Sequence, residues 1–309
     1  MGAATRDAFG EAIVRLGEDE RVVVLTGDLR DSTRTEEFAE KYPERFFDVG
    51  IAERNMLGIA SGLALSGKVP WAASFSCFVA GRFETLRVSV AYQEANVRIV
   101  GTHSGIGVGE DGYSQMALED MAGLRALPNV SIVNPCDAVE TDGAVEYLLD
   151  HVGPVFLRLT RQKVDDVNAE GYRFEFGKAV QLRDGSDVAI FGTGATVQEA
   201  LKAADELAGD GVSARVVNVH TLKPFDENAV LKAAADCRAL VTVEDHSATG
   251  GLGSAVAEVL ATGDGRAPLL IIGTRGFGES GSAEELYDKH GISGPRVAES
   301  TRKFLGKLR

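Results

Sequence analysis

The chain has 309 residues, 44% of them hydrophobic, with 36 glycines spread along it and a formal net charge of −14. That length suggests about two domains, and the composition is that of a globular protein able to bury cores. The acidic balance argues against nucleic acid or an anionic membrane as partner, so an anionic substrate would need a locally basic pocket.

In chain order, a helical pattern over residues 3–17 leads into the strand "RVVVLTGD". The stretch "FDVGIAERNMLGIASGLALSG", residues 47–67, then sets Glu53 at the head of a helix over 53–67. No charge occurs from Met56 to Gly67, so this helix reads as buried. A carboxylate at its entrance must cap the helix, pair with a cation or take part in chemistry. Strand "VPWAASFS", helix 77–93, strand "VRIVGTH", helix 115–126, strand "VSIVNP", helix 137–150 and strand "PVFLRLT" come next. Residues 161–187 break the rhythm with polar and short extended pieces and read as a connection. The alternation then restarts with "DVAIFGTG", helix 196–208, "ARVVNVHTLKP", helix 226–236, "ALVTVEDH", helix 250–262, "PLLIIGTRG" and helix 282–290. Short apolar runs alternating with amphipathic stretches predict parallel sheets wrapped by helices. The reading is two α/β domains in series, residues 1–162 and 182–309, joined by a linker over 163–181.

Cys77, Cys136 and Cys237 are far apart and lack metal-ligand spacing, which suits three structural thiols in a reducing cytosol. There is no charged leader before an apolar core and no apolar run of about 18 residues. A soluble, cytoplasmic protein without membrane contact is expected.

"FGTGATV", residues 191–197, begins like a dinucleotide fingerprint, but Thr196 and Val197 stand where its third glycine would sit; it reads as a strand-to-helix turn. A denser signal lies in "GTHSGIGVGEDGYSQMALEDMAGLRALPNV", residues 101–130. There a strand ends at His103 and opens into a glycine-rich loop that holds Glu110, Asp111 and Gln115. The carboxyl end of a parallel strand is where open α/β sheets bind ligands.

The sequence resembles the transketolases, specifically their C-terminal half. The likeness runs from "TRDAFGEAI" through "GIAERNM", "SFSCFVAGRFETLR", "THSGIGVGEDGYSQMALED", "LRLTRQ" and "HTLKPFD" to "VEDHSATGGLGSAV"; the order and spacing make the set specific. The resemblance implies a thiamine-diphosphate pyrimidine-binding fold with a parallel sheet, followed by a smaller, mostly parallel α/β C-terminal domain. It implies a transferase that uses thiamine diphosphate and Mg²⁺. The family's first domain, with the metal and diphosphate site, is not among these motifs. Gly-Asp-Gly at Gly209 and again at Gly263 does not replace it, because no asparagine follows Asn228; both read as turns. The chain thus resembles one subunit of a split transketolase. An N-terminal subunit is the expected partner and the expected source of the Mg²⁺ and diphosphate ligands, with no metal ligand here, an active site at the subunit boundary, and a heterotetramer of two plus two.

The resemblance also assigns residues. Glu53 matches the glutamate that hydrogen-bonds the aminopyrimidine ring and favours its imino tautomer, a task for a sheltered acid. Phe75 and Phe78 match the wall on which the pyrimidine stacks, and Leu29 is expected beside the same ring. Arg6, Ser32, His103 and Arg161 match positions that grip the sugar's terminal phosphate, a dianion suited to charge-assisted donors. Asp111 matches the acid that reads the hydroxyl beside the reacting carbonyl. His103 and Gln115 are assigned with Glu53 to the catalytic set. Gln115, Tyr113 and Gly81 depart from common family choices, which bears on the acceptor. His246 has a structural, an interfacial or a functional role open to it, and no catalytic residue is assigned to the second domain.

The function implied by the resemblance is transfer of a two-carbon ketol unit from a ketose phosphate to an aldose acceptor. Transfer to a non-sugar acceptor in secondary metabolism is the variant reading. Deoxyxylulose-phosphate synthases and the β subunits of 2-oxo acid dehydrogenases share the fold; the Arg6 and Arg161 pair favours a phosphorylated ketose. A non-catalytic scaffold subunit is the reading from another class, and the joint presence of Glu53, Phe75, His103 and Asp111 speaks against it.

Overall fold

Runs such as Val22–Thr26 have every residue buried, which a strand achieves only where both faces of its sheet are covered. The computed structural model describes residues 2–168 and 171–308. Residues 169 and 170 of the expected linker, and residues 1 and 309 of the expected domains, lie outside the described residues. The strands in chain order are β1 Val22–Thr26, β2 Phe46–Asp48, β3 Val69–Phe75, β4 Arg98–Thr102, β5 Ser131–Val133 and β6 Val155–Arg158. They continue as β7 Val180–Arg183, β8 Val188–Gly192, β9 Ala214–Asn218, β10 Thr221–Lys223, β11 Ala239–Ser247 and β12 Leu269–Thr274.

The expected two consecutive α/β domains are present. A seven-stranded sheet runs β10-β5-β6-β4-β3-β1-β2 and a five-stranded sheet runs β12-β11-β8-β9-β7. Both are parallel except at one edge, where β10 pairs antiparallel with β5 and β7 antiparallel with β9. "ARVVNVHTLKP" reads as one strand but is two: β9 stays in the second sheet, and the chain then crosses so that β10 pairs with β5 of the first. One buried apolar cluster accordingly includes Ile132 of the first sheet together with Phe191, Val219 and Leu252. The segment entering the connection is tied down as well. Asp137, which caps the helix Ala138–Asp150, also accepts the Val167 and Asn168 amides at 2.8 Å each.

Several local expectations are corrected. The segment over 77–93 is broken into Ser76–Ala80, Phe83–Thr85 and a wider π turn over Leu86–Ala91; the break falls at Gly81, the first piece's C-cap. The helix expected over 115–126 spans only Asp120–Arg125, because Ala117 is drawn into backbone pairing with Ser104 and Gly105. The helices Glu36–Lys41 and Gly294–Lys307 were not expected, nor were edge strands β2 and β7, which are short and half-exposed.

The neutral helix was expected to be buried and is so on one side only. Glu53–Leu65 packs Met56, Leu57 and Ala60 inward, while Ile59 and Leu65 remain exposed. Ile51, Val88 and Tyr92 are exposed too. Among the described residues no helix is long and apolar enough to cross a membrane. All three cysteines are free, and burial pushes the Cys77 thiol up to about 12, far from a reactive thiolate.

Candidate active site

Strands β1, β3, β4 and β6 run parallel, so their carboxyl ends open on the same edge of the sheet. The segments leaving that edge carry Leu29 and Ser32 after β1, Phe75 and Phe78 at β3, His103 to Gln115 after β4, and Arg161 after β6. Glu53 arrives there as the first residue of its helix.

Glu53 is 5% exposed, and its Oε1 accepts a hydrogen bond from Ser74 Oγ at 3.3 Å. A methyl group on Gly27 would stand 3.5 Å from that same oxygen, so the end of β1 borders the carboxylate. Among the described residues no backbone amide and no cation binds it. Two of the three roles open to this acid, helix cap and ion-pair partner, are therefore not the ones it plays. A sheltered carboxylate with one neutral donor still has capacity for a proton-bearing ligand atom.

Beside it stands an aromatic stack. Phe75 lies parallel to Phe78 with ring centroids 5.4 Å apart, and the His103 imidazole stacks on Phe75 at 3.7 Å. His103 has φ 54°, a left-handed backbone uncommon for a residue with a side chain, and such strain gathers at functional sites. Its ring is fixed from both ends, with Arg6 Nη1 3.0 Å from Nε2 and Thr102 Oγ1 2.9 Å from Nδ1. A guanidinium can only donate. Nε2 is therefore the acceptor, the proton sits on Nδ1, and the ring is neutral. Burial, followed by the positive charges of Arg6, Arg161 and Arg34, lowers its pKa to about 3. In this arrangement His103 offers no free donor at Nε2, which corrects the expectation that its imidazole supplies one.

This neutrality has a consequence for pH. A group whose folded-state pKa is depressed contributes stability that is present above its unfolded value, ordinarily 6.5, and lost as the pH falls toward 3. The ring resonances of His103 should thus stay constant between roughly pH 5 and 8, the window in which an ordinary histidine titrates. A midpoint near 6.5 in an NMR titration would mean that the ring is neither buried nor held by Arg6 as described.

Arg6 Nη1 also donates to the Ser32 carbonyl at 2.9 Å, so Arg6, Ser32, His103 and Phe75 form one connected group. Arg161 is half-buried; its Nη1 donates to the Val108 carbonyl at 2.6 Å and lies 3.9 Å from Glu110. Asp111 is exposed in the same loop. Gln115 is half-buried, and its carbonyl accepts from the Cys77 thiol at 3.3 Å. Leu29 is half-buried, with its carbonyl bound by Thr33. Among the described residues no hydrogen bond or ion pair joins Glu53, Leu29, Asp111, Gln115 or Arg161 to the connected group.

Sequence reasoning missed Ser74, Thr102 and Arg34. Arg34 also has a positive φ, 60°, and is held by Asp7 at 2.7 Å. Ser74 and Thr102 precede assigned residues by one position, which was the available signal. Beneath the aromatic stack, Arg158 and Asp120 form a buried ion pair at 2.8 Å, and Ser76 donates to the same carboxylate oxygen. His246 takes the interfacial option: its Nε2 accepts from the Ala122 amide at 3.3 Å and lies 3.7 Å from Asp120. Glu244, two residues earlier, accepts the Leu252 and Gly253 amides and so anchors the helix Leu252–Thr262.

Fold and site together define a two-domain α/β protein whose parallel strands present a sheltered acid and an aromatic wall beside clustered guanidinium groups. Such a set suits a flat heteroaromatic ring next to an anion. The sequence matches the family "Transketolase, pyrimidine binding domain" over residues 1–166 and the family "Transketolase, C-terminal domain" over residues 177–297. It is 45% identical over 307 residues to a putative transketolase C-terminal section of Methanocaldococcus jannaschii, with 98% of this chain and 96% of that protein covered. It is 40% identical over 301 residues to the 6-deoxy-6-sulfo-D-fructose transketolase subunit SqwH of a Clostridium species, covering 96% and 93% of the two chains. A solved split-gene transketolase, described as an inactive β4 tetramer, superposes with a TM-score of 0.90 at 41% identity, covering 100% of both chains. The chain belongs to the transketolase family, and along its length it corresponds to that family's C-terminal section.

Proposed function

We propose that this chain is the pyrimidine-holding and substrate-holding subunit of a thiamine-diphosphate-dependent enzyme that moves a two-carbon ketol unit from a ketose phosphate to an aldose acceptor. The observation that carries the proposal is the Glu53 carboxylate, sheltered, met by one neutral donor and bordered by the end of β1. The residues fit one half of the cofactor. Glu53 would share a proton with a ring nitrogen, and Phe75 and Phe78 would supply the stacking wall, with Leu29 beside them. When bound, thiamine diphosphate supplies the nucleophilic carbon and the electron sink. This chain's part is to orient the ring, keep water from it and hold the sugar. Arg6 and Arg161, with Ser32, would grip the anionic end, the neutral His103 would serve substrate by holding Arg6 through Nε2, and Asp111 would read a hydroxyl. Gln115 would complete the catalytic set.

Mg²⁺ and the diphosphate ligands would come from an N-terminal subunit docked on the first domain, in a heterotetramer of two plus two. A cytoplasmic place suits this chemistry. The relative named for a sulfo-sugar is named for an anion at the sugar's far end, and two guanidinium groups suit a sulfonate as they do a phosphate. The same pocket therefore serves either donor class.

The test is Arg161→Ala, assayed with two donors and an unphosphorylated acceptor such as glycolaldehyde. A hydrogen bond to a charged group contributes roughly 1.5 to 3 kcal/mol, or roughly 10- to 150-fold at about 1.4 kcal/mol per tenfold. The Michaelis constant for the ketose phosphate should rise by that factor, while hydroxypyruvate, which brings no dianion to the missing guanidinium, should be affected much less. Equal losses with both donors would assign Arg161 to the fold or the subunit interface.

A further inference from the structure

The second domain was assigned no role in the chemistry, yet one of its side chains reaches the glycine-rich loop after β4. Asp245, on β11 and 4% exposed, accepts the Ile106 amide at 2.7 Å with Oδ1 and the Gly107 amide at 3.1 Å with Oδ2. The Tyr287 hydroxyl, also from the second domain, donates to Oδ2 at 2.8 Å. Three donors converge on this carboxylate; burial pushes its pKa up, and these hydrogen bonds together with the Arg158 charge oppose that rise. Successive backbone amides turned toward one anion form a nest, and here the anion is a side chain of the neighbouring domain.

The loop is shaped for this approach. Gly105 has φ 78°, and a Cβ there would stand 2.2 Å from the Asp245 carboxylate. A Cβ on Gly107 would stand 2.0 Å from the Gln162 side chain. Gln162 Nε2 in turn donates to the Tyr287 hydroxyl at 2.7 Å. The chain Gln162–Tyr287–Asp245 thus joins the residue after Arg161 to the amides of Ile106 and Gly107. The next carbonyl, that of Val108, holds the Arg161 guanidinium. Arg158 closes the figure by donating to the Asp245 backbone carbonyl at 2.9 Å.

We propose that Asp245, with Tyr287, is a positioning residue for substrate: it fixes the Gly105–Asp111 loop and Arg161 relative to each other, so that the second domain sets the geometry of the sugar's anionic end. This rests on the reading of Arg161 and Asp111 as substrate residues. Asp245 itself touches no reacting atom; it acts through the backbone of Ile106 and Gly107. The alternative is a contact between domains that supports folding alone, which would weaken every substrate alike.

The experiment uses the assembled two-chain enzyme with Asp245→Asn and Tyr287→Phe. Asparagine keeps the shape but turns an amide NH₂ toward a donor, so one of the two clamping bonds is lost. The Michaelis constant for a ketose phosphate should rise roughly ten- to hundredfold, the range of a charge-assisted hydrogen bond. Turnover of hydroxypyruvate and proton exchange at the thiazolium carbon should change little. Amide hydrogen exchange without substrate should show lost protection at whichever of Ile106 and Gly107 faces the new NH₂. Tyr287→Phe removes the bond from Gln162 and one of the three bonds to the Asp245 carboxylate, but neither amide bond, and should raise the same Michaelis constant less while leaving Ile106 protected. Unchanged protection at Ile106 and Gly107 in Asp245→Asn, or equal losses with both donors, overturns the proposal. If the wild-type enzyme shows no preference for an anionic donor, the substrate reading fails instead, and amide exchange still decides the clamp.

Discussion

Replacing Glu53 with glutamine should slow ketol transfer by ~10²- to 10⁴-fold, the usual contribution of a positioned acid or base. Glutamine has nearly the same size and can still accept from Ser74 through its amide oxygen, so the local packing at 5% exposure is kept. It lacks the negative charge and the capacity to hold a proton. In the wild type, neither a backbone amide nor a cation among the described residues neutralises that charge, so it is available to a ring nitrogen. The loss should fall on kcat, because a step is slowed rather than a binding contact removed. Proton exchange at the thiazolium carbon, followed by NMR in the assembled enzyme, isolates the effect from sugar binding. Exchange as fast in Glu53→Gln as in the wild type would return Glu53 to the rank of a structural acid.

The second large effect is all-or-none. This chain on its own, given thiamine diphosphate and Mg²⁺, should show no ketol transfer, and an N-terminal transketolase subunit should restore it. Two observations motivate this. On the proposed reading, the residues assembled at the strand ends address a ring and a sugar anion, and no metal-diphosphate motif is found in the sequence. Apolar groups are also uncovered on and near the helix headed by Glu53, with Ile51, just before it, 83%, Leu65, at its end, 65%, and Tyr92, after the π turn, 80% exposed. Apolar surface of that kind next to functional residues marks a docking face. Isothermal titration of the cofactor into the lone chain and into the mixture would measure the change. Full activity of the lone chain would remove the partner from the scheme.

How much of this was legible in sequence depended on the range over which each residue acts. The core strands were, because runs such as "VVVLT" are apolar throughout and are buried on both faces. The place of Glu53 at the head of its helix was, because an acid before a neutral run has to be accounted for. The burial of that helix was misjudged for a physical reason: composition records how apolar a face is, not what covers it. Short edge strands were invisible because β7 keeps only a partly buried pattern. The Asp245 clamp was out of reach because its partner Ile106 lies 139 residues away, and a side chain that binds backbone leaves no pattern of paired residue types. His103 stands at the strand end that the sequence singles out, but the tautomer that leaves it no free donor is set by neighbours such as Arg6 that only the fold brings near.

The placement of Thr221–Lys223 bears on how the molecule comes apart. Because this strand is the outermost member of the first sheet, the fragment ending before it would leave β5 with a bare hydrogen-bonding edge, the kind of surface that recruits other chains. The fragment beginning after β6 would carry an orphan strand with nothing to pair. The first sheet thus depends for its edge on a strand that follows β9 of the second. The border that the sequence presents is crossed by a paired strand and a shared apolar cluster, so the second domain is no detachable appendix.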